Sequence, residues 1–369
     1  MKILLINTVC GTGSVGRITV DYYNKYKSEG HDVKVIYGRG KNINVPKCDA
    51  IKFNSVLDFY YHCAMSRIFD SQGLHSNIAT KKLLAFIKEF KPDIIHLHNL
   101  HGYYLNYKLF FKYINTTNIK IIWTLHDCWA FTGHCTHYLY NKCNKWETEC
   151  KNCKYNKEYP ASIIFQQAKR NFLLKKQLFT NNKNLELITP SQWLADEVSK
   201  SFLKHCPIKV LNNTINNNLF KNTPSELKRE LSINENKIVI LGVAFPWTGT
   251  KGYEDFLELS RLIDNNKYQI IMVGLSKKQL KNLPNNIIGF ERVSPEKLVK
   301  LYSLSDIFFN PTYEDNYPTV NLEAKACGVK IIAFKGTGGG EEMLDDNDIV
   351  LDDRNTLKLI ERINNIAFD

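Results

Sequence analysis

The sequence predicts an α/β protein made of two Rossmann-like domains facing one another across a cleft, and three observations lead there. Short apolar runs such as Lys2 to Asn7 (KILLIN), Lys120 to Leu125 (KIIWTL) and Ile238 to Val243 (IVILGV) alternate with helical patterns, as in parallel sheets buried on both faces. Glycine-rich turns follow several of these runs, where strand gives way to helix. A polar stretch, Asn212 to Asn218, then interrupts the alternation and reads as a linker, dividing the chain into 1–215 and 216–369. The last helix is expected to pack back on the first domain.

Composition narrows the class. Of 369 residues, 44% are apolar and 23% charged, the balance of a globular protein able to bury two cores. Met1 to Asn7 reads as a buried strand rather than a signal peptide, and no run approaches the roughly 18 apolar residues of a membrane span. A cytoplasmic location is expected, with peripheral attachment to the cytoplasmic face of a membrane as a further expectation. The net charge of +12 favours anionic partners: nucleic acid, an acidic membrane surface or phosphorylated ligands. Ten cysteines without a secretion pattern indicate thiols or a metal site rather than a disulfide framework.

In the first half, the strand Lys2 to Asn7 leads into Gly11-Thr12-Gly13-Ser14-Val15-Gly16 and a helix from about Arg17 to Gly30. The turn is literally G-x-G-x-x-G, so Gly13, Ser14 and Gly16 can let a ligand approach the backbone closely. An NADP-dependent oxidoreductase is one reading. The next strand, Asp32 to Tyr37, lacks a ribose-binding acid, although Arg39 could meet a 2′-phosphate. A plain connecting turn is another. Asp58 to Phe69 and Gly102 to Ile114 are rich in aromatics and read as core or as an acceptor-side rim, while Asp93 to His98 releases His98, Asn99 and His101 into a loop. Phe165 to Phe179 alternates basic and apolar residues, as an ordinary surface helix or one lying on an anionic membrane does.

Lys120 to Leu125 ends in His126-Asp127, placing an imidazole at the mouth of a crevice, where its neutral form can hydrogen-bond a sugar hydroxyl. Beyond it, Cys135, Cys143, Cys150 and Cys153 fall within 20 residues and end in a C-x2-C pair. One structural tetrahedral zinc and four reduced, metal-free thiols are both compatible with that spacing. With the basic charge, the cysteines also admit a zinc-containing nucleic-acid-binding protein. The remaining strands of this half are Leu185 to Ser191 and Ile208 to Asn213.

The second half alternates strand Ile238 to Val243, helix Tyr253 to Asp264, strands Tyr268 to Val273 and Asn286 to Phe290, and helix Pro295 to Leu304. Lys251-Gly252 opens a helix after a strand and loop, a place where an ammonium beside helix-terminal N–H groups suits a diphosphate. Gly274 ends a strand and borders the expected base pocket; Gly338 and Gly339 belong to a turn, Gly336 to Glu341, whose N–H groups can cradle phosphate. Between them lies Asn310 to Gly328 (NPTYEDNYPTVNLEAKACG): strand end, polar loop with Glu314, Asp315 and Asn316, then a helix from Thr319 to Cys327. Asp315 and Glu323 lie eight residues apart, one in the loop and one about a turn into the helix, so two acceptors can reach different hydroxyl-bearing parts of one ligand.

The acid, seven residues, Glu and then Ala-Lys-Ala-Cys-Gly, together with LHDCWAFTGHC at Leu125 to Cys135 and the outline of Asn213, Ile215 and Phe220, resemble the family-4 retaining glycosyltransferases of GT-B fold, of the colanic acid and capsular polysaccharide type. The resemblance spans nearly the whole chain. It implies a hexosyltransferase-type enzyme using a UDP- or GDP-sugar, a glycan or lipid-linked acceptor and the anionic inner membrane surface, with no nucleic acid and no catalytic cofactor. It assigns catalysis to His126, Asp315 and Glu323: His126 and Asp315 at the donor sugar, Glu323 at the ribose. The donor pyrophosphate falls to Lys251 and the glycine turn. An arginine expected upstream of Lys251 is missing, since Ala244, Phe245 and Thr250 occupy the plausible positions, and Arg17 or Arg292 is left to replace its charge.

Overall fold

The apolar runs become parallel strands in a computed structural model that describes residues 1–366 and separates into two units, Met1–Asn212 and the portion from Asn213 onward. In the first unit the strands are β1 (Lys2–Asn7), β2 (Asp32–Tyr37), β3 (Ala50–Lys52), β4 (Ile94–Leu97), β5 (Lys120–Thr124), β6 (Leu185–Thr189) and β7 (Ile208–Val210). They pair in the order β3-β2-β1-β4-β5-β6-β7. Its helices are α1 (Gly13–Ser28), α2 (Val56–Phe69), α3 (Asn77–Phe90), α4 (Tyr107–Ile114), α5 (Ala168–Thr180) and α6 (Gln192–Lys200). Ile3, Leu4, Leu5, Ile95, Ile121 and Leu187 are fully buried, as strands covered by helices on both faces require. The chain order reverses between β1 and β4, so the loops leaving their carboxyl ends diverge and leave a crevice.

Helix α1 starts at Gly13, four residues earlier than expected, with Thr12 as its extended cap. Gly16 therefore lies in the first turn, where a Cβ would approach Val9 and the Gly11 backbone at 3.1–3.3 Å; close packing of helix on loop accounts for that glycine. Helix α5 fits the reading of an ordinary surface helix, with one side packed on the core. Phe172, Lys175, Leu178 and Phe179 are buried, and the Phe179 ring packs against Phe111 and Trp123 at 4.6 and 5.0 Å, so its aromatic face belongs to the core.

The second unit repeats the plan with β8 (Ile238–Val243), β9 (Tyr268–Val273), β10 (Ile287–Phe290), β11 (Ile307–Asn310), β12 (Lys330–Phe334) and β13 (Ile349–Leu351) in the order β10-β9-β8-β11-β12-β13. Its helices are α7 (Leu227–Glu230), α8 (Tyr253–Leu262), α9 (Lys277–Lys281), α10 (Pro295–Ser303), α11 (Thr319–Ala326) and α12 (Thr356–Asn364). Leu359 and Ile363 of α12 share a cluster with Phe256 and Leu259 of α8, so the described part of the last helix packs within its own unit. The order reverses between β8 and β11. Among the described residues, no helix is long and apolar enough to cross a membrane.

Candidate functional site

Because β8 and β11 are neighbours at the reversal of the second sheet, the loop after β8 and the loop after β11 leave side by side. The first carries Lys251 and the second Asp315, and their side chains meet, Lys251 Nζ to Asp315 Oδ2, at 2.7 Å. The contact is built by backbone bonds: Tyr313 N–H donates to Thr250 O at 2.9 Å, and Asp315 N–H donates to Thr337 O at 2.9 Å. Asp315 and Gly338 form a parallel bridge, so the glycine turn after β12 closes the same edge. Gly252, at φ +76°, has no room for a Cβ, which would lie 2.4 Å from Pro311. The side chains of Lys251 and Asp315 are 34% and 27% exposed, and an ion pair so open to water is worth only about 0–1 kcal/mol. A polar ligand can therefore exchange with it.

Glu323 lies one turn into α11 and is 1% exposed; its Oε2 accepts a hydrogen bond from the Tyr302 hydroxyl at 3.1 Å. Glu314 and Asn316 flank Asp315 and are buried. Asp315, the flanking pair and Glu323 thus sit at different depths of one edge. The glycine turn departs from expectation in one respect, because Gly336 and Thr337 donate their N–H groups to Glu341 Oε1 at 2.6 and 2.9 Å, so those two are already engaged by a carboxylate. Gly338 is at φ +91° and begins a short turn, Gly339–Glu341. Gly274, at φ +96°, would place a Cβ 1.9 Å from Ala244 O; the close approach of β9 to the loop after β8 fixes it as glycine.

Arg354 was not foreseen from the sequence. Its guanidinium donates to Pro311 O and Thr312 O at 2.7 and 2.8 Å, pairs with Asp255 at 3.3 Å and lies 3.2 Å from the centre of the Tyr313 ring. It clamps the loop that carries Asp315. No local motif marks it, since its hydrogen-bond and ion-pair partners are 42 and more residues upstream. Of the two arginines offered for the missing charge, Arg292 belongs to this unit, where it lies 3.8 Å from the centre of the Phe245 ring in the loop leading to Lys251; Arg17 is on α1 of the first unit.

In the first unit, the reversal brings the loop after β1 beside the loop after β4: Thr8 Oγ1 donates to His101 O at 2.6 Å. Gly13 stands at φ +69° with open space where a Cβ would be, and Ser14 follows it, exposed, in the first turn of α1. His96, His98 and His126 stack in a row, centroids 4.7 and 5.2 Å apart, with His98 Nδ1 and His126 Nε2 at 2.9 Å. Burial lowers His126 to about 4, so its imidazole is neutral at pH 7. Beside it, His101 Nε2 and Asp127 Oδ2 lie 2.6 Å apart.

Burial alone would raise the Asp127 carboxyl, but the charge and hydrogen bond of His101, helped by His137 and the Trp129 N–H, hold it at about 2. A carboxyl held below its ordinary value contributes stability that is complete above about pH 4 and lost as pH falls toward 2. Asp127→Asn is therefore expected to flatten the fall in unfolding free energy across that window, measured by urea denaturation at a series of pH values. An unchanged slope would place the acid sensitivity elsewhere.

Among the described residues, no group of three or more His, Cys, Asp or Glu side chains is placed to hold a metal ion. Cys135, Cys143, Cys150 and Cys153 instead line a cavity of about 220 Å³. Cys150 Sγ accepts the Gly133 N–H at 3.2 Å, and burial pushes its thiol up to about 11, which favours the protonated form. Buried Lys175 supports the loop above from below, donating to Trp129 O and Thr132 O at 2.7 and 3.0 Å.

With this geometry in place, comparison with known proteins is specific. The pattern of Glycosyltransferase Family 4 matches residues 15–219, and that of Glycosyl transferases group 1 matches residues 224–368. A protein of Escherichia coli strain K12 that carries the name colanic acid biosynthesis glycosyl transferase WcaC is 25% identical, over 98% of this chain and 90% of its own. Among solved structures, sucrose-phosphate synthase from Thermosynechococcus elongatus superposes with a TM-score of 0.73 at 15% identity, over 98% of this chain and 89% of that one. HepE from Anabaena, solved in complex with UDP-glucose, superposes at 0.65 and 17% identity, over 99% and 89%. These two likenesses concern the fold, two parallel α/β sheets of the GT-B type.

Proposed function

We propose, from the premise that this chain belongs to glycosyltransferase family 4 and is a glycosyltransferase, that it moves a sugar from a UDP- or GDP-sugar to a glycan or lipid-linked acceptor during synthesis of a capsular or exopolysaccharide, with retention at the anomeric carbon. One observation carries the reading: the Lys251 ammonium and the Asp315 carboxylate meet at the reversal of the second sheet, with Glu323 behind them. A donor entering there separates the pair. Lys251 then faces the diphosphate, Asp315 the sugar hydroxyls and Glu323 the ribose hydroxyls. The Gly338-Gly339 turn, bridged to Asp315, closes the phosphate side.

Chemically, the bond from the anomeric carbon to the diphosphate oxygen breaks while a bond to the acceptor oxygen forms on the same face. The acceptor proton passes to the departing phosphate oxygen, leaving a glycoside and a nucleoside diphosphate. Negative charge grows on the diphosphate as its bond breaks, so a cation fixed beside it lowers the barrier. His126, neutral through burial, serves as a hydrogen-bonding group for sugar hydroxyls rather than as a counter-ion. The WcaC likeness and the UDP-glucose complex of HepE support a polysaccharide product and a nucleotide-sugar donor.

A panel of nucleotide sugars read by mass spectrometry, followed by proton NMR of the first-formed product, tests this reading. An axial donor bond should give an axial product, with one nucleoside diphosphate released per sugar transferred. An inverted product would remove the same-face mechanism; no turnover with any nucleotide sugar, across a range of acceptors, would remove the assignment.

A further inference from the structure

Helix α2 (VLDFYYHCAMSRIF) carries apolar residues on every side, a composition ordinarily found in buried helices. Its outward face is nevertheless open: Leu57 is 83% exposed, Tyr60 65% and Tyr61 56%. At its carboxyl end a second apolar segment joins the same face, with Ile163 68% and Ile164 62% exposed. This segment is held in place. Ile163 N–H donates to Arg67 O at 2.7 Å and Phe165 N–H to Ile68 O at 3.0 Å, satisfying carbonyls that the helix end leaves over. Phe165 stacks on Phe69 with centroids 5.4 Å apart and planes 7° from parallel. Two isoleucines are thereby fixed pointing into solvent beside an exposed aromatic helix, a contiguous apolar area of the kind that marks an interaction surface.

What covers it is indicated by the charge next to it. Phe69 also borders an open cavity of about 660 Å³ whose lining includes Lys81, Lys108, Lys112 and Arg170 and contains no acidic side chain. An apolar face beside a hollow whose charged side chains are all cationic is complementary to one kind of partner, a bilayer with anionic headgroups. Isoleucine and leucine enter the acyl boundary, tyrosines sit at headgroup level, and the four cations take up lipid phosphates.

We propose that the outward face of α2, the Ile163-Ile164 segment and the adjoining cationic cavity seat this protein on an anionic phospholipid bilayer. The purpose, bringing a lipid-linked acceptor within reach, rests on the glycosyltransferase reading above; the docking itself does not. Peripheral attachment thus falls to α2 and the 163–165 segment, not to α5, whose apolar side is buried.

Sedimentation of the full chain with vesicles tests it, comparing phosphatidylglycerol with phosphatidylethanolamine against pure phosphatidylcholine. Partitioning onto the anionic vesicles should be at least about tenfold stronger, and weaker in high salt. The triple variant Leu57→Ser, Ile163→Ser, Ile164→Ser should reduce it by about tenfold or more, with an unchanged near-ultraviolet circular dichroism spectrum, because all three side chains face solvent. Lys81→Gln with Lys108→Gln and Lys112→Gln should remove most of the preference for anionic lipid. Equal binding to both vesicle types, or undiminished binding by the apolar variant, overturns the proposal. So does a wild-type dimer without vesicle affinity that the apolar variant converts to monomer, which would give the face to a second copy. Nucleotide-sugar turnover measured on the same samples keeps the two readings apart: docking without turnover removes the transferase and leaves the surface, and turnover without docking does the reverse.

Discussion

Replacing Glu323 with alanine is expected to lower kcat/KM for sugar transfer by about 100-fold or more, a loss of about 3 kcal/mol of transition-state stabilisation. The side chain is 1% exposed and accepts the Tyr302 hydroxyl at 3.1 Å. Burying a carboxyl group is costly unless it is hydrogen-bonded, so a chain that keeps one beneath the loop carrying Asp315 gains something for it. Hydrogen bonds to a ribose are charge-assisted when the acceptor is a carboxylate and about half as strong when it is an amide. A purely structural role would be met by glutamine, which keeps the volume and can still accept from Tyr302. Glu323→Gln is therefore the informative variant: near-native melting temperature with kcat/KM still reduced by about tenfold or more is expected for a ligand-binding carboxylate. Full activity in Glu323→Gln would make it a packing residue.

Lys251→Ala is expected to weaken nucleoside diphosphate binding by about ten- to 100-fold while leaving nucleoside binding within about twofold, as measured by calorimetry. Lys251 and Asp315 are 2.7 Å apart and each roughly a third exposed, so their mutual attraction is modest and the lysine is available to a stronger anion. In the variant, Asp315 loses its cation and would repel a diphosphate, which adds to the loss. An equal drop for nucleoside and nucleoside diphosphate would mean that the lysine holds the loop rather than the phosphates. Arg292 lies 3.8 Å from the centre of the Phe245 ring in the loop that leads to Lys251.

The architecture was largely legible because parallel strands announce themselves. KILLIN, KIIWTL and IVILGV are apolar on both faces and each became a central strand, as buried parallel sheets demand. The short edge strands β3 and β13, three residues each, were not seen, since a run of three residues is too short to show a period. The start of α1 was misplaced because Gly13 and Gly16 read as turn, whereas the helix admits both and uses Gly16 to pack on the loop. Helix α5 shows the limit of charge patterning: Lys175 lies among basic residues, yet it points inward to two carbonyls, and only tertiary structure supplies them.

At the site, strand order explains why Lys251 and Asp315, 64 apart in sequence, touch. Arg354 escaped because two of its partners are main-chain carbonyls, which leave no trace in side-chain identity, and Asp255 is 99 residues away. The cysteines illustrate the reverse case. Their close spacing admits zinc or free thiols alike, and in the fold all four line one cavity.

The most direct test is a crystal structure of the chain with UDP or GDP bound. Electron density for the diphosphate against Lys251 and the Gly338-Gly339 turn, with the ribose hydroxyls toward Glu323, is the expected result. A nucleotide held at Gly11 to Gly16 of the first unit, with the Lys251 to Asp315 pair intact, would contradict the assignment.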